Sequence, residues 1–245
     1  MGLTIHYDLS LPAEVPESEV CRLLTRLRNE ALALPVKGVS QLVRLTEHDI
    51  DAPWPMAGLG FKRLEDVVDV VGRFMRDEFH RETLGLDIEQ TPSNEYFRVE
   101  APEGLRIVIV GFAIAPGSGS EPAAFGLAKL ATAGAPGRWA WRTFCKTQYA
   151  SAHGEKHFLK CHKSVIALLD VAHDLGMTLD VHDETAFYES RDESRLLAAV
   201  DAMNRLIAQF AGAFSDAYAG AGGDGRQVRG EIFQHPDFER LEMRD

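Results

Sequence analysis

LRIVIVGFAIAPGSGSEPAAFGLAKLATAGAPGRWAWRTFCKTQY, from Leu105 to Tyr149, is the stretch that decides the fold. Three runs, Leu105–Ala115, Phe125–Ala131 and Trp139–Tyr149, are rich in apolar and β-branched residues. The segments between them, PGSGSEP and Gly134–Gly137, consist of residues that end regular structure. Upstream, Tyr96–Glu100 is joined to the first run through Pro102, Glu103 and Gly104, which reads as a hairpin. Four strands with short connections predict a mainly antiparallel sheet.

Working outward, Thr4–Ser10 alternates. Ile5, Tyr7 and Leu9 share one face, and His6, Asp8 and Ser10 share the other, as in a half-buried strand. Glu17, Ser18 and Glu19 follow Pro16 and open a helix carried by Val20, Leu23, Leu24, Leu27, Ala31 and Leu34, which Pro35 stops. Val39–Leu45 alternates again. Asp51–Gly60 is a loop by its Pro and Gly content, and Leu64–Phe79 has the spacing of a second amphipathic helix. In the last third, Phe158–Leu175 is helical up to Gly176, Leu179–Val181 is a short strand, and Ser194–Tyr218 is a long amphipathic helix. The expectation is one α+β domain over residues 1–218, a mainly antiparallel sheet with about four packed helices. A Gly-rich linker and C-terminal tail occupy 219–245.

Composition excludes several function classes. A net charge of −11 opposes a sequence-independent grip on nucleic acid, which requires clustered Lys and Arg, and it suits docking onto a basic partner. Three cysteines at scattered positions, Cys21, Cys145 and Cys161, fit a reducing cytoplasm better than a disulfide framework. The opening MGLTIHYDLSL lacks the basic and apolar regions of a secretory signal. The longest apolar run, Ile107–Ala115, falls far short of the ~20 residues a membrane-spanning helix needs. A soluble, cytoplasmic protein without membrane association is expected.

Most residues capable of chemistry lie between Trp139 and Asp192, yet no spacing among them matches a motif that fixes a reaction. GSGS at Gly117–Ser120 follows a strand as a phosphate-binding turn would, but Glu121 would repel a phosphate and Pro122 removes an amide donor. No nucleotide-binding motif is present. The catalytic candidates are His162, as acid or base, with Lys146, Asp183 and Glu184. Arg142, Lys146 and Gln148 project from one side of a strand, either as a solvated face or as the floor of a cleft. Arg142, Gln148, Tyr188 and Arg191 are the ligand-binding candidates. His153, His157 and Cys161 are spaced four and four, which stacks them on one helix face, and His182 could join them. These are the metal candidates; the cofactor is unknown at this level, and a divalent metal is one the pattern admits. Cys161 beside His162 makes a poor nucleophile–base pair, because neighbouring residues on a helix point about 100° apart.

The reading that follows is a cytoplasmic binding or interaction protein of unknown partner, without a recognisable catalytic motif. The alternative is a metal-assisted hydrolase or other small-molecule enzyme with its site in the 139–192 region. Whether the chain is an enzyme is left open at this level, and convergence of His162, Lys146 and Asp183 in one pocket would favour it. A protein partner, or a homodimer through Ser194–Tyr218, is the interaction the pattern admits.

Overall fold

The computed structural model describes residues 3–46, 106–131 and 137–220. The expected strand Tyr96–Glu100, the loop Asp51–Gly60, the helix Leu64–Phe79 and the tail after Gly220 lie outside the described residues.

Among the described residues, seven strands form one sheet: β1 (Thr4–Leu11), β2 (Gly38–Val39), β3 (Val43–Thr46), β4 (Arg106–Ala115), β5 (Ala123–Ala131), β6 (Trp139–Lys146) and β7 (Thr178–Asp183). Their order is β2–β4–β5–β6–β1–β7, with β3 also on β4, and every pairing is antiparallel. The helices are α1 (Glu17–Ala33), α2 (Glu155–Asp174), the single turn α3 (Phe187–Ser190) and α4 (Glu193–Gly220), with a 3₁₀ segment at Gln148–His153. The α+β class with an antiparallel sheet is therefore what the chain adopts. The run expected as one strand to Tyr149 ends at Lys146, where the chain turns into the 3₁₀ segment. The alternation of Val39–Leu45 is split into β2 and β3. Helix α4 runs through Ala219 and Gly220, two residues into the expected linker.

The first strand lies between the last two in space. β1 is antiparallel to both β6 and β7, so β6 and β7 run parallel, with α2 crossing between them. The period-2 pattern of β1 decides which face is covered. Ile5, Tyr7, Leu9 and Leu11 are buried beneath α1 and α2, while His6 is exposed and Asp8 and Ser10 are half-exposed. α1 supplies Val20, Leu23, Leu24, Leu27 and Ala31 to this core, and α2 supplies Phe158, Val165, Ile166, Leu168 and Leu169.

The β5–β6 ladder is short, and its register pairs only Ala128 with Ala140 and Lys129 with Trp139. Where the strands part, side chains replace the ladder. The Ala124 carbonyl accepts the Tyr7 hydroxyl at 2.8 Å and the Trp141 indole N–H at 3.2 Å. Leaving that buried carbonyl without a donor would cost about 1–3 kcal/mol. Burial pushes the Tyr7 hydroxyl well above the ordinary tyrosine range, so it remains a donor at any working pH.

α4 begins at Asp192, whose Oδ1 accepts the backbone N–H of Ser194 at 2.9 Å and of Arg195 at 3.2 Å. Leu196, Val200, Asn204 and Ala208 are its buried line, four residues apart, with Leu197, Met203 and Ile207 along the flanks. Among the described residues no helix is long and apolar enough to cross a membrane.

Candidate functional site

His162 occupies the apolar stripe of α2, and the fold explains why an imidazole is accepted there. The ring lies near Phe158, with centroids 5.8 Å apart, and edge-on to Phe187 at 5.7 Å. Both ring nitrogens are satisfied. Nε2 lies 3.1 Å from Asp183 Oδ2, and Nδ1 lies 2.8 Å from Thr147 Oγ1. Asp183 is the last residue of β7 and sits in register with Ile5, which turns its side chain to the covered face. Thr147 follows the end of β6. Three elements distant in sequence thus converge on one ring.

Asp183 is also the hub of the turn that follows it. Its Oδ1 accepts the Thr185 N–H at 2.9 Å and the Thr185 hydroxyl at 2.8 Å, and its Oδ2 accepts the Tyr188 N–H at 3.0 Å. These bonds hold Ala186 in the left-handed region, at φ 54°, where α3 begins. Burial alone would raise the carboxyl. The hydrogen bond and charge of His162, with the two donors of Thr185, outweigh it and hold Asp183 down at about 2.

That depression has a sign. A carboxylate held below its unfolded value stabilises the fold fully above an unfolded value of about 3.9, and the contribution fades as pH falls toward the folded value. The amount is on the order of 2 kcal/mol. Asp183→Asn should therefore flatten acid sensitivity. In urea titrations, the stability gap between wild type and variant is expected to narrow from near-neutral pH to about pH 2.5. A gap that stays constant would show that Asp183 is not held ionised by its neighbours.

The wiring hydroxyl–imidazole–carboxylate is that of an activated nucleophile: with Nε2–H on Asp183, Nδ1 can accept the Thr147 proton. Access is what the arrangement lacks. His162 and Thr147 are 0% exposed and Asp183 is 4% exposed, so no substrate atom reaches Thr147 Oγ1 in this conformation.

The other sequence candidates are distributed over three places. Lys146, Arg142, His182 and Glu184 lie on or beside the open face of the sheet, away from His162. There Lys146 Nζ stands 5.7 Å from the Phe144 ring centroid, and Arg142 grips Asp8 through Nε and Nη2 at 2.7–3.0 Å. Glu184 accepts the Thr4 N–H at 2.8 Å and lies 3.9 Å from His6 Nε2, while His182 stacks on His6 with centroids 6.1 Å apart. Gln148 belongs to neither sheet face. It is fully buried, accepting the Leu3 N–H at 3.0 Å and donating to Asn204 Oδ1 at 2.8 Å, and so ties the start of β1 to α4. Tyr188 lies under the Arg191 guanidinium, 5.0 Å away, and Arg191 forms a bidentate pair with Asp170.

His153, His157 and Cys161 form the third group, beside the Gly117–Ser120 loop. His153 lies in the 3₁₀ segment and Gly154, at φ 93°, separates it from α2, so the three do not share one continuous helix. His157 Nε2 donates to the Ser118 carbonyl at 2.9 Å and approaches Cys161 Sγ at 3.5 Å. His182 is across the sheet from them. Among the described residues no three His, Cys, Asp or Glu side chains are grouped so as to hold a metal ion.

Thr147, Thr185 and Asn204 are polar partners that no local pattern marks, since loop position and helix periodicity carry no sign of a hydrogen bond across the fold. His6, Asp8 and Ser10 were legible as one face of β1. Their neighbours were not. In register, His6 stands between Phe144 and His182, Asp8 between Arg142 and Asp180, and Ser10 between Ala140 and Thr178. A groove of about 290 Å³ runs along the last two rows, lined by Asp8, Ser10, Arg138, Arg142, Thr178 and Asp180 among others.

No protein-family model matches the chain, and no curated protein or solved structure is significantly similar to it.

Proposed function

We propose that this chain is a binding protein, working in the cytoplasm, that recognises a basic protein partner through the open face of β6, β1 and β7. One observation carries the reading. The acid–base group of the 139–192 region is sealed and fully hydrogen-bonded, while the open face presents solvent-accessible rows of ionisable and aromatic side chains. Cross-strand rows give a partner fixed positions to match, and the paired strands spare the backbone part of the ordering cost on binding. Arg142 is committed to Asp8 and Glu184 to the Thr4 N–H, so exposed Asp180 is the carboxylate of this face placed to meet a basic group. The overall charge of −11 would speed such an encounter.

Capture of partners on wild type and on Asp8→Lys, with folding checked by circular dichroism, tests this. A lysine at position 8 places like charge opposite Arg142 and opposes a basic partner. Binding of a captured protein, measured with purified components, should weaken by about tenfold or more. A partner bound equally by Asp8→Lys, and lost when exposed Leu206 on α4 becomes Glu, would move the interface off the sheet.

The wiring of Thr147, His162 and Asp183 favours a second reading, an acyl-transfer enzyme that opens to admit substrate. Slow labelling of Thr147 by an acylating or phosphonylating probe, abolished in Thr147→Val, would support it.

A further inference from the structure

Among the described residues, β7 pairs with β1 alone, on one side. The Glu184 N–H donates to the Thr4 carbonyl at 3.2 Å, continuing the β1–β7 register past Asp183. Backbone direction alternates along a strand, so Thr178, Asp180 and His182 also turn their N–H and C=O groups toward β1. Those of Leu179, Val181 and Asp183 turn outward. The Asp183 carbonyl accepts the Ala186 N–H at 2.8 Å. Among the described residues, no backbone group partners the outward N–H and C=O of Leu179 and Val181. Such an edge is a template for another strand.

The side chains of this edge select the strand. A two-fold axis perpendicular to the sheet would pair β7 with itself, antiparallel, and keep both open faces on the same side. Only registers that oppose residues of the same face are then allowed. Centred on Asp180, the register opposes Asp180 to its own copy, carboxylate to carboxylate. Centred on His182, it opposes Asp180 to Glu184 of the second copy, again like charges. Centred on Val181, it opposes Asp180 to His182 twice, and the two Val181 residues exchange both outward hydrogen bonds. The first two registers are penalised by like charge, and the third is favoured.

We infer that β7 is a self-association edge, at which a second copy of this chain adds antiparallel in the register centred on Val181. The interface shares Thr178 and Asp180 with the rim of the groove, but it is argued from the outward backbone of β7 and does not rest on the partner reading above. It also differs from a dimer through α4, because it extends the sheet and leaves α4 free.

Cysteine cross-linking reads the register directly. Asp180 and His182 would form a non-hydrogen-bonded pair, with Cα atoms about 4.5 Å apart, inside the range a disulfide spans. Full-length Asp180→Cys and His182→Cys proteins are mixed and mildly oxidised, beside each variant alone and wild type. The expected result is a cross-linked dimer in the mixture that is lost when either variant is oxidised alone. As a second measurement, wild type should sediment as a concentration-dependent dimer and Val181→Pro as a monomer. The proline removes an outward N–H at a strand edge, a position where the fold tolerates it. Cross-linking of Asp180→Cys alone, equal cross-linking in all samples, or a dimer that survives Val181→Pro would overturn the inference.

Discussion

Replacing His162 with alanine is expected to lower unfolding stability by about 3–5 kcal/mol, the range for truncating a large buried side chain and leaving a buried carboxylate without its partner. Three losses combine. The ring leaves a void beside Phe158 and Phe187. Thr147 loses the acceptor of its buried hydroxyl, and Asp183 remains ionised without the group that contributes most to holding it so. Thr147→Val removes only one neutral hydrogen bond and should cost about 1 kcal/mol. Chemical denaturation with a fixed m-value measures both. If His162→Ala costs no more than Thr147→Val, the His162–Asp183 contact does not hold β7 to α2. Because Asp183 also organises the turn into α3, faster amide exchange from Thr185 to Tyr188 should accompany the loss.

Gly119→Ala is the second large expected effect, about 3 kcal/mol or more, from strain at positive φ together with overpacking. Gly119 has φ 76°, and a Cβ there would lie 2.3 Å from the Tyr149 carbonyl oxygen and 2.8 Å from the Ala150 nitrogen. Both are backbone atoms of the 3₁₀ segment that carries Gln148, so they cannot rotate away. Gly117→Ala would instead meet the side chains of Cys161 and His157, at 2.6 and 2.9 Å, which have some freedom to shift. A thermal-melt comparison should therefore rank Gly119→Ala well below Gly117→Ala. Equal melting temperatures would mean that the loop does not pack on the 3₁₀ segment as described. The contrast also accounts for GSGS without a phosphate: its glycines permit two close approaches.

The sheet and its helices were legible because burial writes a period into the sequence. The alternation of Ile5, Tyr7 and Leu9, the 3.6-residue spacing of α1 and the Gly and Pro punctuation around β5 each report a local geometry. The same logic overran where a period continued past the end of an element. Thr147 and Gln148 look like more strand after Lys146, yet the chain turns there to carry both side chains into the interior. His162 and Asp183 are each legible as candidates in the sequence, but their contact is not, because hydrogen bonds between residues 21 positions apart leave no local pattern. Arg142 is a ligand candidate by its place on the strand, but Asp8, 134 residues away in the chain, occupies its guanidinium.

The sequence by itself determined the helices α1, α2 and α4, the strands β1, β4 and β5, the covered face of β1 and the absence of a reaction motif, since each depends on neighbours a few residues apart. Tertiary structure alone decided that β1 lies between β6 and β7. That placement joins His6 to His182, Asp8 to Arg142 and Asp183 to His162, and it leaves β7 at the edge. Strand order is set by which whole surfaces bury best together, a property of the assembled sheet that no window of residues contains.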